Sequence, residues 1–185
     1  MTLAAEDDPW LGTLQQFPTV LHATASLQFD TDTETLQRAI LRALRALAKT
    51  PRQVQLSLAD HDGYFDGEAS FKVGIGNETF FDLLDPRQEE RVLQRIEQQG
   101  PFPVLDLSVS IHYAVKGGKR HNVRGDRYIA RLLFQPEGLE FLLHHLKGIK
   151  RIAPDQLIEL FLASVNTQLR RQKQPELRIR NLTTT

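Results

Sequence analysis

Hydrophobic and polar residues alternate in two long stretches, and this pattern predicts two strands with one buried and one exposed face. Residues 21–29 carry Leu, Ala and Phe at every second position, and residues 105–115 carry Leu, Val, Ile and Tyr in the same way. A period of two is that of a β-strand. Shorter alternating runs at 53–58 and 70–75 flank a turn rich in Asp and Gly, which predicts a hairpin.

Three other stretches place apolar side chains at the helical spacing of three and four residues. The predicted helices span residues 31–50, 86–99 and 154–171. The first begins at a capping box formed by Thr31 and Glu34. The second has Asp85 as its N-cap and Pro86 in its first turn, and it ends at Gly100.

Two further strands, at 128–134 and 139–146, are joined by a turn that contains Pro136 and Gly138. A short extended piece at 80–84 is another candidate for the sheet. Because hairpins outnumber crossovers in this order, the sequence predicts an α+β fold. We expect a mostly antiparallel sheet of about six strands with two to three helices packed mainly on one face.

These elements are expected to form one domain. The chain has 185 residues and 41% hydrophobic content, which is enough for one sizeable core. We expect the single α+β domain at residues 19–171. An acidic N-terminal lead at 1–18 precedes it, and a basic, loosely held C-terminal tail at 172–185 follows it.

The composition excludes several kinds of chemistry. The chain has no Cys, so disulfides, thiolate catalysis and cysteine-ligated metal sites are excluded. The N-terminus lacks the basic start and the apolar run of a secretory signal. No window approaches the roughly 20 apolar residues that cross a bilayer. We therefore expect a cytoplasmic protein with no membrane partner.

Charge is distributed unevenly along the chain although its net value is zero. Residues 1–109 hold 9 Lys and Arg against 17 Asp and Glu, a net charge of −8. Residues 110–185 hold 14 Lys and Arg against 6 Asp and Glu, a net charge of +8. This separation points to an electrostatic partner or to pairing between copies, so a homodimer stays open.

The strongest candidate for function is a basic loop at 116–127, which contains five cations, three glycines and one histidine. A second basic cluster at 144–151 extends it. Such a loop neutralises nucleic-acid phosphates, docks on an acidic protein face, or is simply a solvated hairpin loop. The predicted partner-binding residues are Lys116, Lys119, Arg120, His121, Arg124, Arg127, Arg131, Lys147, Lys150 and Arg151.

Other segments lack the residues that their apparent chemistry would need. The acidic turn at 60–68 contains D-x-D-G, but Tyr64 and Phe65 stand where an EF-hand calcium loop needs an oxygen ligand and a glycine. The chain has no phosphate loop, dinucleotide fingerprint or nucleophile elbow. We predict no cofactor, metal or catalytic residue. An enzyme that uses Asp60, His61 and Asp62 stays open as a third class.

Aromatic residues weaken the case for reading nucleic-acid bases. Those at 29, 71, 113, 134 and 141 share phase with aliphatic core residues, so they do not form an open stacking face. His144 and His145 point to opposite faces of a strand, and we expect His145 to be packed. The sequence favours a non-catalytic protein-binding module, an assembly factor or adaptor that contacts an acidic protein surface. The alternative is an RNA- or DNA-binding protein that contacts phosphates through the same loop.

Overall fold

The strands and helices follow the order that the apolar pattern predicts. In the computed structural model of the protein, residues 8–57, 62–117 and 123–185 are described. Their elements are β1 (Ala23–Gln28), α1 (Thr33–Lys49), β2 (Arg52–Ser57), β3 (Tyr64–Asn77), β4 (Phe80–Leu83), α2 (Pro86–Gln99), β5 (Val104–Val115), β6 (Asp126–Gln135), β7 (Gly138–Lys147), α3 (Pro154–Arg171) and β8 (Arg178–Thr184). The described part of the chain thus has eight strands rather than about six, because β4 and β8 both join the sheet.

The sheet has the strand order β2-β3-β5-β6-β7-β1-β8, and β4 pairs with the end of β3. Every pairing between these strands is antiparallel. The predicted α+β class with a mostly antiparallel sheet is therefore confirmed. The hairpins β2-β3, β3-β4, β5-β6 and β6-β7 join neighbours in sequence, which accounts for this antiparallel order.

One face of the sheet carries the hydrophobic core. Helix α1 packs on β3, α3 packs on β1 and β7, and α1 and α3 pack on each other. The rings of Phe141 on β7 and Phe161 on α3, for example, meet edge to face with centroids 4.9 Å apart. The alternating apolar residues of the strands point to this face, as the period of two predicts.

The other face of the sheet is crossed by the chain that precedes β1. We call residues 8–22 the N-terminal strap. It begins beside the end of β3, where the Gly12 N–H donates to the Gly76 carbonyl at 2.8 Å. The strap then crosses three strands and reaches the start of β1. Its contacts are Leu14 with Asp106 on β5, Phe17 with Arg131 on β6 and Val20 with His144 on β7.

The helix starts show where local chemistry decides the fold. Helix α1 is capped by Asp32, whose carboxylate accepts a hydrogen bond from the Thr35 N–H at 2.8 Å. The predicted cap at Thr31 is therefore one residue early, because the Asp32 side chain reaches this orphan donor. Helix α2 has the predicted cap, since Asp85 accepts from the Gln88 N–H at 2.8 Å.

The expectation of a loosely held C-terminal tail is wrong. Residues Arg178–Thr184 form β8, which pairs with β1 at one edge of the sheet. The run is mostly polar, so its hydrophobic pattern gives no strand signal. Backbone pairing with β1 supplies the order instead. None of the helices in the described ranges has the length and apolarity needed to cross a bilayer.

Candidate functional site

Five exposed cations gather where β5 ends, β6 begins and β7 ends. We call them the basic end: Lys116, Arg124, Arg127, Lys147 and Lys150. Each was predicted as a partner-binding residue. None of them makes an ion pair within the part of the chain that is described. Three other predicted residues, Lys119, Arg120 and His121, lie outside the described residues.

The strand register aligns part of this charge in one row across the sheet. Arg127 on β6 lies opposite Lys147 on β7 and, on its other side, opposite Ser110 on β5. Ser110 in turn lies opposite the exposed Lys72 on β3. Lys72 was not predicted as a site residue. Lys72 is a polar position of the alternating strand β3, and this position places it on the same face of the sheet as Ser110 and Arg127.

Arg131 and Arg151 were also predicted for the partner surface, but both are used inside the molecule. The Arg131 guanidinium donates to both carboxylate oxygens of buried Asp106, at 2.7 and 2.8 Å. This hydrogen bonding raises the pKa of Arg131 above its usual value. Arg151 donates to the Ser57 carbonyl at 2.7 Å. Of the predicted partner-binding residues that the structure describes, the five of the basic end are therefore the ones whose side-chain charge is not engaged within the described residues.

A buried carboxylate, Asp126, fixes the loop that follows β7. Its oxygens accept hydrogen bonds from the Tyr113 hydroxyl at 2.8 Å and from the Lys150 and Arg151 N–H groups at 2.7 and 2.8 Å. The Nε2 atom of His145 lies 3.3 Å from the same carboxylate. Burial opposes ionisation of Asp126, but these hydrogen bonds outweigh it and hold its pKa below the usual value.

The same loop has a backbone that few sequences can adopt. Gly148 has φ of 111°, and a Cβ atom there would lie 2.1 Å from Asp126 Oδ1 and 2.5 Å from the Gly125 carbonyl. Lys150 has φ of 58° without being glycine. Conformations of this kind persist only where the surrounding structure enforces them. Asp126 provides that enforcement, so the loop is held in one shape.

This rigid loop presents apolar side chains to solvent. Ile149 is 58% exposed and Leu146, the extra residue of a bulge at the end of β7, is 48% exposed. Arg124, Lys147 and Ile149 also line a shallow pocket of about 590 Å³. The predicted site contained the cations but not these two apolar residues. In the sequence, the one indication of an exposed apolar residue here is the single isoleucine between Gly148 and Lys150.

Three histidines meet beside the basic end. The His145 side chain is almost fully buried, which confirms that it is packed. Its backbone N–H donates to Nδ1 of His22 at 2.9 Å, and the His144 ring lies 5.2 Å from that of His22. Burial lowers the pKa of His22, and the positive charge of Lys150 and the neighbouring His144 and His145 lower it further.

Of the acidic turn at 60–68, the described residues begin at 62, and the Lys116 N–H of the basic end donates to the Asp66 carbonyl at 2.9 Å. Asp60 and His61 fall outside the described residues. Asp66 and Glu68, on β3, accept hydrogen bonds from Gln55 and Gln53 of β2. Within the described ranges, no three His, Asp or Glu side chains come together in an arrangement that would hold a metal ion.

The aromatic side chains occupy the positions that their phase predicts. Phe29, Phe71, Tyr113 and Phe141 are buried in the core, and Phe134 is half-buried against it. They form no open stacking face. Comparison of the chain with protein-family models, with curated proteins and with solved structures gives no match.

Proposed function

We propose that this chain is a non-catalytic protein-binding module, an adaptor or assembly factor that acts in the cytoplasm. Its basic end docks on an acidic, partly apolar segment of a partner protein. The observation that carries the proposal is the exposure of Leu146 at the end of β7 and of Ile149 on the rigid loop that follows, next to the unpaired cations Lys147 and Lys150. A loop held by a buried carboxylate loses little conformational entropy on binding, which favours a specific contact.

The two kinds of side chain have different roles in such a contact. Covering the exposed parts of Leu146 and Ile149 contributes about 1 kcal/mol each, because fully burying such a side chain contributes about 1.5–3 kcal/mol. The surrounding cations select a partner with carboxylates and accelerate its approach. A segment that alternates acidic and apolar residues matches both features.

Nucleic acid is the other class of partner for a basic surface. Phosphate contacts need cations, but they do not need exposed aliphatic side chains beside them. Leu146 and Ile149 would remain uncovered in a purely phosphate-binding complex. The aromatic residues at 29, 71, 113 and 141 are buried in the core and do not stack on bases, whereas Tyr64 at the start of β3 is 77% exposed. These observations favour a protein partner, and nucleic acid is one outcome of the test.

Capture of the tagged full-length protein from its native lysate, with and without nuclease, tests the proposal. One variant, Arg124→Glu with Lys147→Glu, reverses charge at the basic end, and a second, Ile149→Ser, removes the apolar contact. Arg42→Glu with Arg171→Glu makes the same charge change on exposed arginines of α1 and α3 and is the matched control. We expect the charge-reversal variant to lose about tenfold or more of the affinity for the captured protein and Ile149→Ser to lose about fivefold, measured by calorimetry. The control should bind as the wild type does.

Two results would overturn the proposal. Capture that disappears on nuclease treatment, with a steep fall in binding as salt rises, would assign the basic end to nucleic acid. Captured proteins that bind both basic-end variants as tightly as the wild type would show that the contact lies elsewhere. Circular dichroism of each variant confirms that the fold is retained before the affinities are compared.

A further inference from the structure

The face of the sheet opposite to the core carries three rows of residues, which run across the strands side by side. On β5 and β6 the rows are the opposed pairs Asp106 with Arg131, Ser108 with Ile129, and Ser110 with Arg127. The N-terminal strap covers the first row, where the Leu14 N–H donates to Asp106 and the Phe17 ring lies against the Arg131 guanidinium. The second row is left between the strap and the cations of the third row. We call this second row and the space above it the strap groove.

A pocket of about 460 Å³ lies over this second row. Its walls come from the strap, β4 and β6, and their apolar side chains are Leu14, Phe17, Pro18, Phe81 and Ile129. Phe81 lies directly against the sheet because residue 74 is glycine, where a Cβ atom would stand 2.9 Å from the Cβ of Phe81. A concave site of this size with apolar and aromatic walls is typical of small-molecule binding.

Ser108 provides a polar group on the floor of the strap groove. The residue is 6% exposed and lies opposite Ile129, and its hydroxyl makes no hydrogen bond within the described residues. Its Oγ atom lies 2.6 Å from the point where a side chain at residue 74 would begin, so only a glycine there leaves room for it. Hydroxyl groups of residues this buried normally have a partner. The free hydroxyl therefore points to a polar group of a ligand.

The charge along the groove favours an anion at one end. Arg127 precedes Ile129 by two residues on β6, so it lies on the same face at a distance of about 6.6 Å. Neither Arg127 nor Lys72, which belongs to the same third row, makes an ion pair within the described residues. Glu78 lines the pocket at the turn after β3, about 20 Å along the chain from Lys72. A carboxylate is thus favoured beside Arg127 and repelled beside Glu78.

We propose that the strap groove binds a small amphipathic carboxylic acid. Its apolar part enters the pocket between Phe17 and Phe81, its carboxylate lies beside the cations of the third row, and the Ser108 hydroxyl donates to it. The inference goes beyond the proposed function, because this ligand shares Arg127 with the basic end but does not use Ile149. An acidic partner protein that contacts Arg127 then binds less tightly while the acid is present.

Calorimetric titration of the full chain with decanoate tests this site, because decanoate has an apolar chain and one carboxylate. Butyrate lacks the apolar length, and decylamine has the opposite charge. We expect decanoate to bind about tenfold or more tightly than either compound. Methyl NMR spectra of the wild type locate the site. The Ile129 signals should shift on addition of decanoate, and the Ile149 signals should not.

Variants measure what each side of the groove contributes. Lys72→Gln with Arg127→Gln should weaken decanoate binding about fivefold or more, because two unpaired cations are removed. Phe17→Ala should weaken it about fivefold through lost apolar contact. Arg42→Gln with Lys49→Gln removes one Arg and one Lys from exposed positions of α1, and this matched control should bind as the wild type does. Circular dichroism confirms that each variant is folded before the affinities are compared.

The outcomes separate this inference from the proposed function. Decylamine that binds as tightly as decanoate, or a control that loses as much affinity as the groove variants, overturns the carboxylate site. Shifts at Ile149 without shifts at Ile129 place the acid on the loop after β7 and also overturn it. If none of the three compounds binds but the captured partner protein shifts Ile129, the pocket receives an apolar side chain of that partner. The small-molecule site is then wrong while the proposed function stands. Decanoate binding in the groove with no protein captured has the reverse meaning.

Discussion

At the residue scale, one buried carboxylate organises the proposed binding surface. Asp126 is fully buried and accepts hydrogen bonds from β5 and from the loop after β7. Without the Asp126 carboxylate, the backbone N–H groups of Lys150 and Arg151 would lose the hydrogen-bond acceptor that they share. The exposed position of Ile149 therefore depends on a side chain that does not itself reach the surface.

Replacing Asp126 with Asn should destabilise the protein by about 3 kcal/mol, because buried hydrogen bonds to charged groups are costly to leave unmade. In either orientation, the Asn amide group points an N–H at the Lys150 or Arg151 N–H, which cannot accept it. Urea unfolding at pH 7 measures the change. Because the pKa of Asp126 is lowered on folding, its contribution is present above about pH 4 and is lost as the pH falls through the folded pKa. The two proteins should therefore converge in stability in acid.

The exposed Asp66→Asn is the matched control for this change, and it should alter the free energy of unfolding by less than about 0.5 kcal/mol. A stability of Asp126→Asn equal to that of the control at pH 7 would show that the loop does not depend on the carboxylate.

His22 should be neutral at pH 7 with its proton on Nε2, because Nδ1 accepts the His145 N–H. Its pKa should lie below the value of about 6.5 found in unfolded chains. The stability that His22 contributes is complete above that pH and is lost as the pH falls through the lower folded pKa. An NMR titration of the histidine rings, with the urea-unfolded protein as reference, measures the shift. A folded pKa at or above the unfolded one would contradict the hydrogen bond.

At the element scale, buried side-chain amides hold segments that have no strand partner of their own. The Gln37 amide on α1 bonds both the N–H and the carbonyl of Phe102, at 2.9 and 2.7 Å. The Asn166 amide on α3 does the same for Leu177, at 2.7 and 3.0 Å. The second contact fixes the chain just before β8, so it helps to align that edge strand with β1.

Asn166→Ala should loosen β8 selectively. The change leaves the backbone groups of buried Leu177 without these partners, at a cost of about 1–3 kcal/mol. We expect amide hydrogen exchange in Arg178–Thr184 to accelerate by about tenfold or more relative to β5 and β6. The neighbouring Thr167→Ala, which removes only side-chain hydrogen bonds within α3, is the control. Equal exchange in both variants would mean that pairing with β1 alone holds the strand.

At the scale of the whole molecule, folding partly sorts the charges and partly mixes them. Among the described residues, two ion pairs join the acidic and basic halves of the sequence, Arg131 with Asp106 and Arg178 with Asp30. The five cations of the basic end make no ion pair within the described residues. The separation of charge along the sequence is therefore retained on the surface only in part, as the basic end.

This clustering predicts retention on a cation exchanger at pH 7 although the net charge is zero. Arg124→Glu with Lys147→Glu should elute at clearly lower salt than Arg42→Glu with Arg171→Glu. The two variants have the same net charge, so any difference in elution reports the arrangement of charge on the surface. Identical elution would show that the basic end does not act as a cluster.

Much of the fold follows from short-range pattern, and much less of the site does. The period of two over residues 105–115 and the helical spacing over residues 154–171 correspond directly to β5 and α3. The cations of the site could be found by composition. Their pairing could not, because Arg131 meets Asp106 only when β5 and β6 align with those two residues opposite each other. Register brings together residues that lie 25 positions apart in the sequence, so the free and the neutralised cations could not be distinguished by local pattern.

The sequence by itself determined the class of fold, the buried face of each long strand and the position of the caps to within a residue, because these depend on neighbours along the chain. Only the tertiary structure decided that residues 178–184 are a strand, since β1 provides their hydrogen bonds. It also decided that Asp126 is buried and that Ile149 is exposed. Both depend on contacts between β5, β6 and the loop after β7, which no local pattern records.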